Sequence, residues 1–496
     1  MSAFEDGHAL GPALAPLPAP TEIAPARMAA PPLRPSQRPA VPHGSGPGLD
    51  RSGLLIGLAA ALLAIAGALV TLDLLEQKSS LVPAFFVAAA LFPVLLLHPR
   101  WIVPVFLAFT WTSIGRTDLG GLSPVNYGSY VLLPLALWYG WSTRREQARA
   151  TLIVFALIGL PLLATGLVSI LGREIPTDWF KDLAFLFIAG ICLRREDVEP
   201  TIIALVLVGI FLSLGGVYTV RVHPTSLFPL DASDCAVGHA CNDAPRAAGP
   251  FGDSNFFALS LATLMPMALY LVGRGGWRQR LGLVGVLCLI AGIYSTGSRG
   301  GALAGGAAIV VVSLLSDNRR IRLAGIGSVV AAGLLLLLFS AQASSASSRT
   351  TTGRATENLI AWAMFKDHPL VGVGPDQYPN LYSLYTPKIG DDNRAVRDPH
   401  SLPLQIAAEQ GIVGLLGWLG AIIFLTRLTL ARRVWDDPVG RIVILSIVTY
   451  MVGSLFLHGS ELRLLWILAG MLIAVGTSLP PPRPVRPDAA VDHFSM

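Results

Sequence analysis

The sequence predicts an all-α fold, a polytopic transmembrane helix bundle of about 12–14 spans with a large outside loop that contains short helices. Two observations predict this class. Hydrophobic residues make up 53% of the 496 residues and charged residues only 14%, whereas a soluble domain is nearer a quarter charged. The apolar residues also fall in blocks that can cross a hydrocarbon core as helices, the form that satisfies backbone polar groups inside the segment.

Fourteen apolar blocks are predicted to be membrane spans. A count of twelve also fits if the two weakest, 100–114 and 181–193, are re-entrant or merge with a neighbour. In chain order the blocks are 53–72, 81–97, 100–114, 124–141, 151–171, 181–193, 200–220, 253–272, 282–296, 300–315, 323–340, 403–426, 441–457 and 464–479.

The basic residues predict the orientation of these spans. With the N-terminus inside, the short inside loops hold 16 Lys and Arg and the short outside loops hold 6. Cytoplasmic loops carry such an excess, and a wrong span in the middle of the chain would invert the bias after it. Both termini are therefore predicted to be cytoplasmic.

The chain divides into four predicted regions. Residues 1–50 contain eleven prolines and read as a disordered cytoplasmic tail, and 481–496 form a second tail. Residues 51–220 form an N-terminal bundle and 221–480 a core with the long outside loops. The net charge of +5 suggests contact with anionic membrane lipids and not with nucleic acid.

Two outside segments, 221–252 and 341–402, are much longer than the others. Long ordered loops are uncommon and usually functional, and residues 354–365 within the second have helical periodicity. This asymmetry favours an active site at the outer membrane surface over a plain transporter, which tends to have short connections and repeated halves. In the first segment, Cys235 and Cys241 form either a disulfide or two free thiols.

Arginines near the ends of the spans are candidates for binding an anion. Arg246, Arg299 and Arg354 are predicted to lie on the outside face, and the planar guanidinium suits bidentate phosphate recognition. Asn255 is placed to cap the helix after Arg246, and a helix N-terminus attracts anions. Each arginine alone could simply anchor at a lipid headgroup.

His400, just before a span, is the candidate general base. Taken alone, it reads more simply as a helix-start residue that bonds the backbone. Together with the arginines on one face, it suggests group transfer from a phosphate-linked lipid. The outside loops contain no Asp-x-Asp and no His/Cys cluster with metal-ligand spacing, so no metal and no cofactor are predicted.

Four motifs, in order between about 246 and 425, resemble those of the bacterial O-antigen ligase and O-antigen polymerase family. They are Arg246-Ala-Ala-Gly249…Asn255; Ser295-Thr-Gly-Ser298-Arg299-Gly-Gly; Arg354…Trp362…His368-Pro-Leu-Val-Gly-Val-Gly374-Pro; and Asp398-Pro-His400-Ser…Gln405…Glu409-Gln-Gly411. The chain departs from the family pattern at Ser401, where Asn often follows the histidine, and in its Pro-rich tail.

The resemblance implies an inverting, metal-independent glycosyltransferase of the cell inner membrane with a periplasmic active site. The donor would be a glycan on undecaprenyl pyrophosphate. Arg246 and Arg299 would hold the pyrophosphate and stabilise its charge, Arg354 would orient the donor or structure the loop, and His400 would deprotonate the acceptor. The same motifs supply supporting residues, namely Ser298, Asn255, Gln405 and Glu409.

The acceptor stays open at this point. Lipid A core would make the protein an O-antigen ligase, a second lipid-linked repeat would make it a polysaccharide polymerase, and a protein hydroxyl, ranked lower, an O-oligosaccharyltransferase. Partners in cell-surface polysaccharide assembly would fit any of these. The alternative from another class is a flippase or exporter of lipid-linked oligosaccharides, which needs neither a base at His400 nor a sixty-residue loop. A structural membrane scaffold offers no reason for Arg299.

Overall fold

A computed structural model describes part of the chain. It covers residues 102–110, 144–169, 177–222, 228, 230, 245–330, 350–389, 399–456 and 463–480. Several predictions lie outside these residues: both tails, the spans 53–72, 81–97 and 124–141, and the pair Cys235 and Cys241.

The described residues are predominantly helical, and they contain no strand beyond one isolated bridge between Leu230 and Ala247. The helices are α1 Ile102–Thr110, α2 Arg145–Leu167, α3 Thr177–Phe187, α4 Arg195–Arg221, α5 Ser254–Arg274, α6 Gly276–Ser295, α7 Arg299–Leu315, α8 Thr350–Asp367, α9 Tyr378–Tyr385, α10 Leu402–Ala431, α11 Pro438–Gly453 and α12 Arg463–Ser478. Residues 319–330 are also helical. Five helices, α2, α4, α5, α6 and α10, are long and apolar enough to cross a membrane. The all-α polytopic class is confirmed.

Helix boundaries differ from the predicted spans mainly at charged ends. Helix α2 begins at Arg145 instead of 151, and α6 begins at Gly276 instead of 282. The added turns carry Arg and Glu or Gln, which are good helix formers and can extend to the headgroup level while their backbone stays helical. The predicted span 181–193 is α3 followed by a π-helical turn, Ile188–Cys192.

Helix α5 is the centre of the described bundle. In its most apolar stretch 94% of the residues are buried against protein, compared with 28% for α10. Helices α4, α6, α7 and α11 pack around α5. Because α5 follows Arg246 and α7 begins at Arg299, the packing of these two helices fixes the arginine motifs relative to each other.

The outer segment, residues 350–389, forms a small subdomain on the first part of α10. Its own apolar core includes Ile360, Met364, Tyr378 and Tyr382. Helix α8 covers the predicted helical stretch 354–365, so the prediction of short helices inside the long loop is confirmed.

A buried ion pair joins two of the described helices. Arg463, counted in the sequence among outside-loop residues, is buried at the start of α12, where its Nε lies 2.7 Å from Oδ1 of Asp182 in α3. Its guanidinium also stacks over the Phe185 ring, 5.6 Å from the centroid. Removing either of two buried opposite charges is strongly destabilising, so the pair ties α12 to α3.

The end of α11 connects the beginnings of three helices. The carbonyl of Ser454 accepts a hydrogen bond of 2.9 Å from the amide of Leu402, the first residue of α10. The adjacent Gly453 packs against Leu259 and Ala304, each about one turn into α5 and α7. The N-termini of α5, α7 and α10 therefore lie at the same end of the bundle.

Candidate functional site

The arginine turn, residues 295–299, forms one part of the site. It connects α6 to α7, and Gly297 takes a left-handed conformation there with φ 62°. The Nε of Arg246 donates a 2.9 Å hydrogen bond to the carbonyl of Thr296, and the amide of Ala247 donates to the carbonyl of Ser295. Arg246 is thus held against the same turn that presents Arg299.

Two buried polar side chains organise this turn. The hydroxyl of Ser298 donates to Oδ1 of Asn255 at 2.9 Å and accepts from the amide of Gly301, which makes Ser298 the N-cap of α7. The same Asn255 oxygen also accepts a hydrogen bond of 3.5 Å from Nη2 of Arg246. The predicted supporting residues therefore form one network that joins the starts of α5 and α7.

Arg299 differs from Arg246 in its surroundings. It is the first residue of α7, its side chain is exposed, and it forms no ion pair with any residue that the structure describes. The positive end of a helix and an unpaired guanidinium reinforce each other electrostatically. The turn therefore presents a cation that is available to an external anion.

His400 lies in the other part of the site, beside a carboxylate that the sequence analysis did not select. Its Nε2 is 3.1 Å from Oε2 of Glu357 in α8. The Glu357 side chain is only 2% exposed, and that of His400 is 11% exposed. An ionised carboxylate so deeply buried requires a partner, and the imidazole provides it.

A break in α10 separates the histidine end of this helix from its long remainder. Gly411 has φ 61° and ψ −156°, a conformation that only glycine adopts readily. The helical ladder stops there, which leaves the carbonyls of Ala408 and Glu409 without their usual donors. The predicted span 403–426 lies within α10, and the helix is interrupted at this residue because the close approach of another backbone replaces the ladder.

The replacement partner is the Pro369–Gly374 segment of the predicted family motif. The amides of Val373 and Gly374 donate to the carbonyls of Ala408 and Glu409, each at 2.9 Å. In return, the amides of Ile412 and Val413 donate to the carbonyls of Pro369 and Leu370, at 2.8 and 3.1 Å. We call this exchange of four backbone hydrogen bonds the interlock. It accounts physically for the glycines of the motif.

Glu409 and Gln405 line the first part of α10 next to the interlock. Glu409 is buried, and its Oε1 accepts from the amide of Tyr378 at 3.3 Å. Gln405 is also buried, and its side-chain oxygen has no hydrogen-bond partner in the part of the chain that the structure describes. Glu409 therefore fastens the outer segment to α10.

The structure brings most of the predicted site residues to one end of the bundle. Four of them lie in or beside the arginine turn: Arg246, Asn255, Ser298 and Arg299. The other three lie at the start of α10: His400, Gln405 and Glu409. Arg354 lies in the first turns of α8, one turn before Glu357, and its side chain is outside the described part.

Glu357 is the residue that the sequence analysis missed, although a signal for it exists. Ile360, Ala361 and Met364 form the buried stripe of α8, and Glu357 continues this stripe one turn earlier at helical spacing. A carboxylate on an apolar stripe needs a buried partner. Within the described residues, no three His, Cys, Asp or Glu side chains converge to hold a metal ion. A reaction without metal stays a prediction.

Fold and site together define a multi-pass membrane protein with a basic site and a paired histidine at one end of its bundle. A family model described as O-antigen ligase matches residues 284–419. Residues 284–419 are thus similar to the O-antigen ligase family, and the resemblance inferred from the motifs is confirmed over this part of the chain. The matched part contains Arg299, Arg354 and His400, while Arg246 precedes it.

At the level of the family, the match points to glycosyltransferase activity of the O-antigen ligase type, with lipid-linked glycans as substrates in an inner-membrane setting. No curated protein matches the chain.

Proposed function

We propose that this protein transfers a glycan from undecaprenyl pyrophosphate to an acceptor hydroxyl on the periplasmic face of the inner membrane, with inversion and without a metal ion. One observation carries the proposal: a basic turn with an exposed arginine and a histidine paired to a buried carboxylate lie at the same end of a membrane bundle. Anion binding and a general base are the two requirements of this reaction.

The arginine turn supports the role of the donor pyrophosphate site. Arg299 is exposed at the N-terminus of α7, and Arg246 is held against the same turn. The dipole of α7 adds to these two formal charges, whereas the N-terminus of α5 is capped by the Asp253 carboxylate. Arg354 would add a third cation from α8. The group that leaves the sugar is a pyrophosphate, whose charge increases as the bond breaks, so this set would bind the transition state more tightly than the ground state.

His400 supports the role of the general base. In the reaction, the acceptor oxygen attacks the anomeric carbon from the face opposite the pyrophosphate, and its proton passes to the imidazole. The new bond joins the anomeric carbon to the acceptor oxygen, and the broken bond is the one to the pyrophosphate oxygen. The small exposed part of His400, 11% of the side chain, is the point where a hydroxyl could approach it.

Transfer in membranes supplied with a defined undecaprenyl-pyrophosphate-linked oligosaccharide tests the proposal. His400→Ala and Arg299→Ala should each lower transfer by at least about 100-fold, the usual contribution of one general base or one oxyanion-stabilising donor. Arg319→Ala is the matched control, because Arg319 is equally exposed but follows the other end of α7. Normal transfer by a stably inserted His400→Ala variant would remove the general-base role.

The choice of acceptor identifies the reaction within the family. Lipid-linked repeats offered alone should give a ladder of longer products if the protein is a polymerase. A ligase should produce nothing until lipid A core is added. Transfer to neither acceptor, with export of intact lipid-linked glycan instead, would favour the flippase alternative and contradict the proposal.

A further inference from the structure

The buried carboxylate of Glu357 is the observation that leads beyond the proposed function. It comes from α8 in the outer segment, 43 residues before His400 in the sequence. At 2% exposure its charge loses nearly all contact with water, and burial of an unpaired carboxylate is strongly unfavourable. If Glu357 only stabilised the fold, an apolar side chain would stabilise it better, like the apolar side chains that follow on the same buried stripe of α8.

We propose that Glu357 is the positioning residue for His400: its buried carboxylate, 3.1 Å from Nε2, fixes the imidazole and stabilises the positive charge that the ring gains with the proton of the acceptor hydroxyl. This inference rests on the proposed function. Nε2 lies 3.1 Å from the carboxylate, and at this separation a negative charge strongly favours the positively charged form of the ring that arises during proton transfer.

The surroundings of Glu357 hold it in place. The hydroxyl of Tyr378 donates a 2.9 Å hydrogen bond to the backbone carbonyl of Glu357, and Ile360 and Met364 pack one and two turns further along α8. The side chain therefore extends from a rigid helix and not from a loop. Preorganised support of this kind is what keeps a catalytic group in its productive orientation.

Glu409 is the other buried carboxylate near His400, and its contacts assign it a different role. Its Oε1 accepts from the amide of Tyr378, and its carbonyl takes part in the interlock. It thus fastens α9 to α10. Glu357, by contrast, has its carboxylate at the imidazole.

The pair has a defined task during transfer. When the proton of the acceptor moves to the imidazole, the ring becomes positively charged, and the adjacent Glu357 carboxylate stabilises that charge as the sugar–pyrophosphate bond breaks. The proton leaves to water after the product departs, and no other reactant is needed.

Steady-state transfer by Glu357→Gln tests the inference. We expect kcat to fall about 10- to 100-fold, a part of the ~10²–10⁴ that a general base supplies, with the KM for the lipid-linked donor little changed. Glu357→Asp, which keeps the charge, should recover part of the rate. The matched control is Asp367→Asn, which removes a carboxylate from the same helix where it is paired with Lys388 at the surface. A rise in KM with unchanged kcat would overturn the positioning role.

A double-mutant cycle with His400→Ala separates positioning from general support of the fold. If Glu357 acts through the imidazole, Glu357→Gln should cause no further loss in the His400→Ala background. An equal loss in both backgrounds would overturn the inference. If His400→Ala is inactive while Glu357→Gln is fully active, the inference fails and the proposed function stands. If His400→Ala transfers normally, the base assignment itself fails.

Discussion

The arginine turn and the histidine end of α10 belong to one site but are built in different ways. The turn is held by side chains, because Arg246, Asn255 and Ser298 bond one another and the local backbone, and Arg299 stays exposed. The histidine end is held by backbone, through the interlock between the outer segment and the break at Gly411. The first arrangement leaves a cation available to a ligand, and the second fixes the position of a base.

This difference separates function from folding in the two regions. The exposed Arg299 can be changed with little effect on stability, because it contacts no partner among the described residues. The glycines of the interlock cannot be changed without loss of stability, because other backbone atoms occupy the space that a side chain would need. A Cβ on Gly372 would lie 2.3 Å from the carbonyl carbon of Glu409, and one on Gly411 would lie 2.5 Å from that of Leu370.

The largest effect is expected from Gly411→Ala. The substitution forces a side chain into a conformation that costs on the order of 1–3 kcal/mol, and the overlap with Leu370 adds to this cost. The unfolding temperature in detergent should fall strongly, and transfer should be lost because the His400 end of α10 loses its support. Gly306→Ala is the control, since a Cβ there has no heavy atom within 4 Å and alanine favours the helix. An unchanged unfolding temperature for Gly411→Ala would contradict the interlock.

A smaller effect is expected from Ser298→Ala in the arginine turn. The change removes the N-cap of α7 and the donor to Asn255, and loss of such a cap costs about 1 kcal/mol. Transfer should fall with stability, because Arg299 follows directly after the cap. Ser383→Ala, at an exposed position of α9, provides the comparison. If Ser298→Ala destabilised the protein as much as Gly411→Ala, the contrast between the two regions would not hold.

The sequence predicted the arginine turn more completely than the histidine end, for a physical reason. Ser298 and Arg299 are adjacent, and Arg246 lies only nine residues before Asn255, so short motifs contain most of this network. Local capping rules are enough to predict that a helix begins there.

The histidine end depends on contacts between distant segments. The motif around Gly372 resembled the family pattern, yet nothing in its spacing showed that it exchanges backbone bonds with residues 408–413. Likewise, His400 was selected by its chemistry, whereas Glu357 reaches it only after α8 packs on α10. Hydrophobic periodicity predicts that a helix forms, but it does not predict which helix it contacts.

The smallest effect is expected from Asp367→Asn, which tests whether surface charge contributes to the rigidity of the outer segment. Lys388 donates to Asp367 at 2.6 Å on the exposed side of this segment, and that hydrogen bond holds the pKa of the Asp367 carboxyl below its ordinary value. A carboxyl with a lowered pKa stabilises the folded state above its unfolded pKa, and this contribution is lost as the pH falls through the folded pKa.

At neutral pH, exposed pairs of this kind contribute little, so Asp367→Asn should leave transfer and the unfolding temperature nearly unchanged. The unfolding temperatures of wild type and variant should differ least in strong acid, below the range where free aspartate titrates. There the wild-type carboxyl is protonated and, like the asparagine of the variant, carries no charge. Unfolding temperatures measured across pH would check both statements. If Asp367→Asn lowered the unfolding temperature markedly at neutral pH, this surface pair would contribute to the rigidity of the outer segment, and the histidine end would not be held by backbone alone.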